Sequence, residues 1–299
     1  MARPTPRGMK PQATKPTFSA QTEDYISGMI FNIHGHPGSG KTFAALQASE
    51  SWPKDLAAHK ATGKIAHLDD LVYVEWDRQG AVGIMPHGIR LKYRVSMTDL
   101  AFEKGDLVDA MAKMSKDLYA LVQEDQNIKY VVHDTVTRMD SMIETYCFDP
   151  KRATLDRNGE VDGQRTYGKV ATIHHEYQRS AVTLPDRISN IFLFHQKVMD
   201  ERVGEKDAKR RKDLILKMGD QTTRVVPAIT GKSANVYLAD SSIEFVCKAI
   251  AKKGEDPRRW LYAATIDGER AKNRLQGVFD EKEPADMGHI IAKARAACL

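Results

Sequence analysis

The stretch "GHPGSGKT" at residues 35–42 constrains this chain more than any other feature. It matches the pattern G-x-x-x-x-G-K-[ST] without a mismatch. The apolar segment "MIFNIH" precedes it, and "TFAALQA", which has helix-forming composition, follows it. Strand, glycine loop and helix therefore come in the order that a phosphate-binding loop requires. A chance glycine turn would not be expected between a strand and a helix in this way. The stretch predicts a nucleoside triphosphate site but does not indicate what hydrolysis drives.

Each residue type in this loop has a chemical reason. Gly35, Gly38 and Gly40 allow backbone shapes that a side chain would block, so that their N–H groups can surround a phosphate at a helix N-terminus. Lys41 is placed to reach the β- and γ-phosphates, and the Thr42 hydroxyl to bind Mg²⁺. ATP and Mg²⁺ are thus the predicted cofactors. The predicted nucleotide-binding residues are Gly35, His36, Pro37, Gly38, Ser39, Gly40, Lys41, Thr42 and Phe43.

Two further apolar segments, "LVYVEWD" at 71–77 and "IKYVVHD" at 128–134, end in acids. In P-loop proteins an Asp at the end of such a strand holds the Mg²⁺ shell, which makes Asp134 a candidate. A capping or surface aspartate is the alternative. Glu75 or Asp77 could polarise the attacking water. Alternation along a strand places both on one face, so spacing does not choose between them, and either could be a simple strand-end acid.

Helical and strand patterns alternate along the rest of the chain. Residues 97–124 predict one amphipathic helix, 167–186 a second helix, and 191–196 a core strand. The apolar residues at helical spacing in the first are Leu107, Met111, Met114, Leu118 and Leu121. This alternation predicts an α/β fold with a mostly parallel sheet and helices on both faces. We interpret His174 and His175 as an exposed pair rather than a metal site.

Composition excludes some classes of protein. No run of 18 or more apolar residues occurs, and the N-terminus lacks a signal-like apolar stretch, so we expect a cytoplasmic protein without membrane partners. The three cysteines form no CxxC pair. A net charge of +5 is compatible with nucleic acid without proving it. Residues 1–18 contain four prolines, four cations and no acid, which predicts either a disordered tail or an arm that binds a neighbouring subunit or phosphate backbone.

The order of later segments narrows the class of P-loop protein. "FLFHQ" ends in Gln196, and a long polar loop then leads to "RVVPAITGKSANVYLADSSIEFVCKAIAKKG" at 224–254 and "RRWLYAATIDGERAKNRLQGVF" at 258–279. This succession resembles the ATPase core of the RecA-like recombinases, and within them the phage P-loop proteins of the single-strand-annealing type. The resemblance covers about residues 25–280. It implies a RecA-like P-loop NTPase core whose C-terminal strands are antiparallel.

The resemblance also implies roles for particular residues. Asp77 falls where the family has its water-polarising Glu and is one methylene shorter, while Glu75 falls on an accompanying acid. Asp134 matches the Mg²⁺ aspartate. Gln196 matches the γ-phosphate sensor that opens the second DNA-binding loop.

The resemblance also implies that two groups of cations contact other molecules. One group lies near residue 272 and the other follows Gln196. Lys272 and Arg274, in "AKNR", match cations that act on the neighbouring subunit's ATP. In loop 197–223 eight cations stand against six acids, so any solvated loop could look like this, but its position favours single-stranded DNA. The predicted DNA contacts are Lys197, Arg202, Lys206, Lys209, Arg210, Arg211 and Lys212. A second loop, 139–168, is predicted to be mobile.

These inferences divide the chain into a basic N-terminal arm (1–22), a RecA-like ATPase domain (23–282) and a C-terminal helical tail (283–299) that either covers the core or contacts a neighbour. The expected function is ATP-dependent binding of single-stranded DNA in phage recombination, annealing or replication. We expect a homo-oligomer, either filament or ring, in the host bacterial cytoplasm, with a single-strand-binding protein as a further candidate partner. The alternatives are a ring helicase or helicase loader, and a small-molecule phosphotransferase.

Overall fold

A computed structural model describes most of the chain. The described residues are 28–77, 80–200, 223–229, 231–250, 258–263 and 272–298. The strands are β1 (Ile30–Gly35), β2 (Ala66–Glu75), β3 (Ile89–Ser96), β4 (Tyr130–Asp134), β5 (Ser189–Asp200), β6 (Thr223–Pro227), β7 (Ile243–Ile250), β8 (Arg258–Tyr262), β9 (Lys272–Asn273) and β10 (Lys282–Pro284). The helices are α1 (Lys41–Leu46), α2 (Leu56–Ala61), α3 (Met97–Lys104), α4 (Leu107–Glu124), α5 (Val136–Phe148), α6 (Gly163–Val182), α7 (Gly231–Asp240) and α8 (Met287–Cys298), with a 3₁₀ helix at Gly80–His87.

One sheet organises these elements, in the order β10-β8-β7-β1-β5-β4-β2-β3, with β6 paired to β5 and β9 to β7. The six strands from β7 to β3 along this order pair in parallel. The strands β8, β9 and β10 pair antiparallel. The predicted α/β class, with a mostly parallel sheet and antiparallel C-terminal strands, is confirmed.

Apolar residues cover both faces of the sheet. On one face, which we call the α1 face, side chains such as Ile33 and Leu193 pack with α1 and α8. On the other, the α4 face, Phe192 and Phe194 pack with α4, α5, α6 and α7. Successive residues of each parallel strand alternate between the two cores, as expected for strands buried on both sides. The predicted helices on both faces are therefore confirmed.

The predicted single helix over 97–124 is wrong, because it is two helices. Gly105 adopts a left-handed φ of 71°, which ends α3. Asp106 then caps α4 by accepting from the backbone N–H groups of Val108 and Asp109. The predicted helical spacing holds within α4, where all but the last of the five apolar residues are buried. Strand β3, which the sequence analysis did not identify, forms the edge of the sheet.

The predicted loop over 139–168 is also largely wrong. Helix α5 continues to Phe148 and α6 begins at Gly163, so the connection is limited to 149–162. Met139, Ile143 and Cys147 recur every four residues and are buried, which stabilises the helix through this polar stretch.

His174 and His175 do not form an exposed pair. His175 is exposed, but His174 is fully buried. Its Nε2 lies 2.8 Å from Asp140 Oδ1 and its Nδ1 lies 3.1 Å from the Tyr237 hydroxyl. Adjacent helical residues point about 100° apart, so one of two neighbours can face the core while the other faces solvent.

The C-terminal tail covers the core of its own chain. Met287, Ile290 and Ala294 of α8 are buried against the α1 face. Arg295 Nη2 also donates to the Tyr130 hydroxyl over 3.1 Å. None of the helices within the described ranges combines the length and hydrophobicity that crossing a membrane requires.

Buried His133 in β4 makes the stability of the fold dependent on pH. Its Nδ1 lies 2.7 Å from the Tyr177 hydroxyl, its Nε2 lies 3.1 Å from Asn190 Oδ1, and its ring stacks on Phe192. Burial lowers the pKa of His133 to about 4. The unfolded chain therefore binds the proton first as pH falls. We expect unfolding free energy to drop by about 2 kcal/mol between pH 7 and pH 5 from this residue.

Urea unfolding at the two pH values measures this effect. Two variants separate His133 from other titrating groups. His133→Gln removes the titration and should make the difference between pH 7 and pH 5 smaller. His175→Gln changes an exposed histidine and should leave that difference as in the wild type. An unchanged pH dependence in His133→Gln would contradict the assignment.

Candidate functional site

The sheet brings the carboxyl ends of β1, β5, β4 and β2 together. Gly35 is in register with His195 of β5, and Glu75 is in register with Asp134 of β4. In parallel sheets the ends of neighbouring strands share one edge, where ligands commonly bind. The glycine loop and the predicted acids therefore meet at one edge of the sheet.

The glycine loop has the backbone shape that its sequence predicts. Gly38 and Gly40 adopt left-handed φ values of 79° and 92°. A Cβ added to Gly35 would lie 2.6 Å from both the Cys247 carbonyl oxygen and Ser39 Oγ. Helix α1 is only six residues long. Loop N–H groups and side chains, rather than a helix dipole, are therefore the groups available to an anion.

Lys41 lies at the centre of the loop. It is only 4% exposed, and its Nζ donates to the carbonyl oxygens of Gly35 at 2.8 Å and His36 at 2.9 Å. Burial lowers the pKa of Lys41 to about 8, opposed by the nearby Cys247 thiol and Asp134 carboxylate. At neutral pH it is a buried cation, which an anionic ligand would stabilise.

Asp134, at the end of β4, links the glycine loop to β2 through two hydrogen bonds. Thr42 Oγ1 donates to Asp134 Oδ2 over 2.5 Å, and the Tyr73 hydroxyl donates to the same oxygen over 2.6 Å. Burial raises the pKa of Asp134, while these two hydrogen bonds and the Lys41 charge oppose the rise. A Cβ added to Gly80 would overlap the Tyr73 hydroxyl and lie 3.0 Å from Asp134 Oδ2. Tyr73 was not identified from the sequence, where an aromatic residue in an apolar strand is indistinguishable from core.

The chemistry of Thr42 and Asp134 fits Mg²⁺. A hydroxyl and a carboxylate are hard oxygen ligands, which this ion prefers. In the part of the chain that the structure describes, no group of three or more His, Cys, Asp or Glu residues could hold a metal alone. The ion would thus need oxygens from phosphates and water in addition to these two residues, as in other P-loop sites.

The structure separates the two acids that the sequence could not. Strand β2 ends at Glu75, so the predicted shared face of Glu75 and Asp77 is wrong. Glu75 is 1% exposed and forms an ion pair with Arg94 of the edge strand, while its Oε1 has no hydrogen-bond partner among the residues that the structure describes. Asp77 is exposed, and its charge acts on both Asp134 and His195. Asp77 is therefore the solvent-exposed one of the two acids.

The strand that was expected to end at Gln196 continues to Asp200, since β6 pairs with it antiparallel. Alternation along β5 places Gln196 on the α4 face with Phe194, and His195 on the α1 face with Leu193. The pKa of His195 is lowered by burial and by the Lys41 charge, with Asp77 opposing them. His195 therefore lies near the loop. Of these two neighbours, Gln196 was the one predicted to contact phosphate.

Among the described residues, Arg274 and the backbone of Lys272 lie away from this edge. Arg274 is exposed and its Nη2 donates to the Ala239 carbonyl oxygen over 3.1 Å. The backbone of Lys272 in β9 is paired with that of Glu244 in β7, and the structure does not describe the Lys272 side chain. Their action on a neighbouring subunit stays a prediction.

Most of the predicted DNA contacts fall within residues 201–222, outside the described residues. These are Arg202, Lys206, Lys209, Arg210, Arg211 and Lys212. The arm at 1–22 also lies outside them. Lys197 has its backbone in β5, and nothing is described of its side chain.

No family model matches this chain, and no curated protein is significantly similar to it.

Proposed function

We propose that this chain is an ATPase with a RecA-like P-loop core that binds single-stranded DNA. The observation that carries the proposal is the hydrogen bond between Thr42 and Asp134, which are 92 residues apart in sequence. The loop that would hold phosphate and the acid that would hold Mg²⁺ meet through this bond, beside buried Lys41. Such a pairing is what a P-loop nucleotide site requires.

Each side chain at the edge has a distinct proposed role. Lys41 and the loop N–H groups bind the β- and γ-phosphates, and Thr42 and Asp134 hold Mg²⁺ directly or through water. When bound, the ion would neutralise part of the negative charge on the phosphates. Asp77 orients the attacking water, because its carboxylate is exposed beside Asp134. Tyr73 fixes Asp134 in place through its hydroxyl.

The continuity of β5 supports a coupling between nucleotide and DNA. One strand runs from Ser189 past His195 at the nucleotide edge to Asp200, where it enters the cationic segment. A shift at the phosphate end could therefore move the β5–β6 ribbon and the segment behind it. Lys272 and Arg274 of a neighbouring subunit would complete the site in a homo-oligomer. Phage recombination, annealing or replication is the process that this combination fits.

The rate of ATP hydrolysis with and without single-stranded DNA, at two salt concentrations, tests the proposal. We expect DNA to stimulate hydrolysis, and the stimulation to weaken at high salt because phosphate contacts release counterions. Replacing Arg210, Arg211 and Lys212 with alanine should remove the stimulation. The matched variant, with exposed Lys60, Lys64 and Lys116 replaced, should keep it. A monomer with full, DNA-independent turnover would instead favour a small-molecule phosphotransferase.

A further inference from the structure

A cation that the sequence analysis did not single out lies against the glycine loop. A Cβ added to Gly40 would overlap Cδ and Nε of Arg259, so the arm of this arginine crosses the loop at that glycine. Burial raises the pKa of the neighbouring Cys247 thiol, and the charges of Lys41 and Arg259 oppose that rise. Arg259 and Lys41 are thus two cations close to the same short loop.

The guanidinium of Arg259 is available to a ligand. The residue is exposed, and within the described ranges its guanidinium has no hydrogen-bond or ion-pair partner. A guanidinium carries five N–H donors in a planar arrangement that matches phosphate oxygens. A polar ligand with several negative charges is the class of molecule that two cations and a ring of loop N–H groups fit.

The sheet order indicates which end of a polyphosphate Arg259 would contact. Strand β8, which carries Arg259, lies on one side of β1, whereas β4, which carries Asp134, lies on the other. The γ-phosphate must lie towards Asp134 and Asp77, where the metal and the water would be. Arg259 approaches Gly40 from the opposite side, where the remainder of the nucleotide must extend.

From this placement we infer that Arg259 binds the α- and β-phosphates of the nucleotide held by its own subunit. The inference rests on the proposed nucleotide-binding function. It assigns Arg259 to holding ATP and ADP alike, because both share these phosphates. The cation is supplied in cis, which distinguishes it from Lys272 and Arg274, which were predicted to act from a neighbour.

Calorimetric titration of Arg259→Ala with Mg·ATP and Mg·ADP tests the inference. We expect both dissociation constants to rise by a similar factor of about 10 to 100, the effect of losing charge-assisted hydrogen bonds. Arg259→Lys should give an intermediate value, since it keeps the charge but loses the planar donor pair. Arg258→Ala is the matched control, because Arg258 is an exposed neighbour on the same strand whose side chain alternates to the other face.

Three results would overturn the inference. The first is that Arg259→Ala and Arg258→Ala have equal dissociation constants while the wild type binds nucleotide. This result would leave the proposed function intact. Another is a loss confined to ATP, which would place Arg259 at the γ-phosphate. Absence of ATP and ADP binding by the wild type would overturn both the inference and the proposed function. Thermal unfolding of both arginine variants verifies that neither change acts through the fold.

Discussion

Lys41→Ala is expected to weaken binding of Mg·ATP by at least about 100-fold and to abolish hydrolysis, because more than one charge-assisted bond to phosphate is lost. Lys41 is the buried cation of the glycine loop, with Nζ held beside the carbonyl oxygens of Gly35 and His36. Calorimetric titration with Mg·ATP and a phosphate-release assay measure the two effects.

Lys60→Ala is the control for this substitution, since Lys60 is an exposed lysine on α2. It should bind ATP as the wild type does. Lys41→Ala should unfold near the wild-type temperature, because removing a buried charge offsets the loss of its hydrogen bonds to the Gly35 and His36 carbonyl oxygens and of its attraction to Asp134. A Lys41→Ala protein that binds ATP within about threefold of the wild type would contradict the assignment of the loop.

Asp77→Asn is expected to lower kcat by about 100-fold or more while leaving the dissociation constant of Mg·ATP nearly unchanged. Loss of a group that orients and deprotonates water has an effect of roughly this size. The change is isosteric and concerns an exposed side chain, so the fold should be unaffected. Phosphate release at saturating ATP measures kcat, and equilibrium titration measures binding.

Glu75→Gln is the matched comparison, because the same acid-to-amide change is made two residues earlier. Glu75 is buried and ion-paired with Arg94, which is itself half-exposed. We expect this variant to lose about 1–3 kcal/mol of stability and to reduce kcat less than Asp77→Asn does. The reverse ranking of the two kcat values would assign the water to Glu75 instead.

Sequence reasoning was most successful where the information is local. The glycine loop occupies consecutive residues, so its pattern is visible in the sequence, and Gly38 and Gly40 adopt left-handed φ values that a side chain would disfavour. The alternation of apolar strands and amphipathic helices likewise predicted the α/β class and the parallel sheet. The position of Asp134 at the end of a strand could be predicted because a buried parallel strand is an apolar run whose end is visible in the sequence.

Several of the errors concern contacts between distant segments. Strand β5 extends beyond Gln196 because β6 pairs with it, and no local pattern at 197–200 announces that partner. His174 is buried because Asp140 and Tyr237 are brought to it by other helices. Arg259 reaches the glycine loop only because the β7–β8 pairing carries it there.

The most direct test of the account is calorimetric titration of the wild-type protein with ATP, with and without Mg²⁺. The account predicts a single site per chain, tighter binding when Mg²⁺ is present, and competition by ADP. Thr42 and Asp134 should make the metal dependence measurable, since they are the oxygen ligands that we propose for Mg²⁺ beside the loop. No heat of binding at millimolar ATP in either condition would contradict the central claim that residues 35–42 form a nucleotide site.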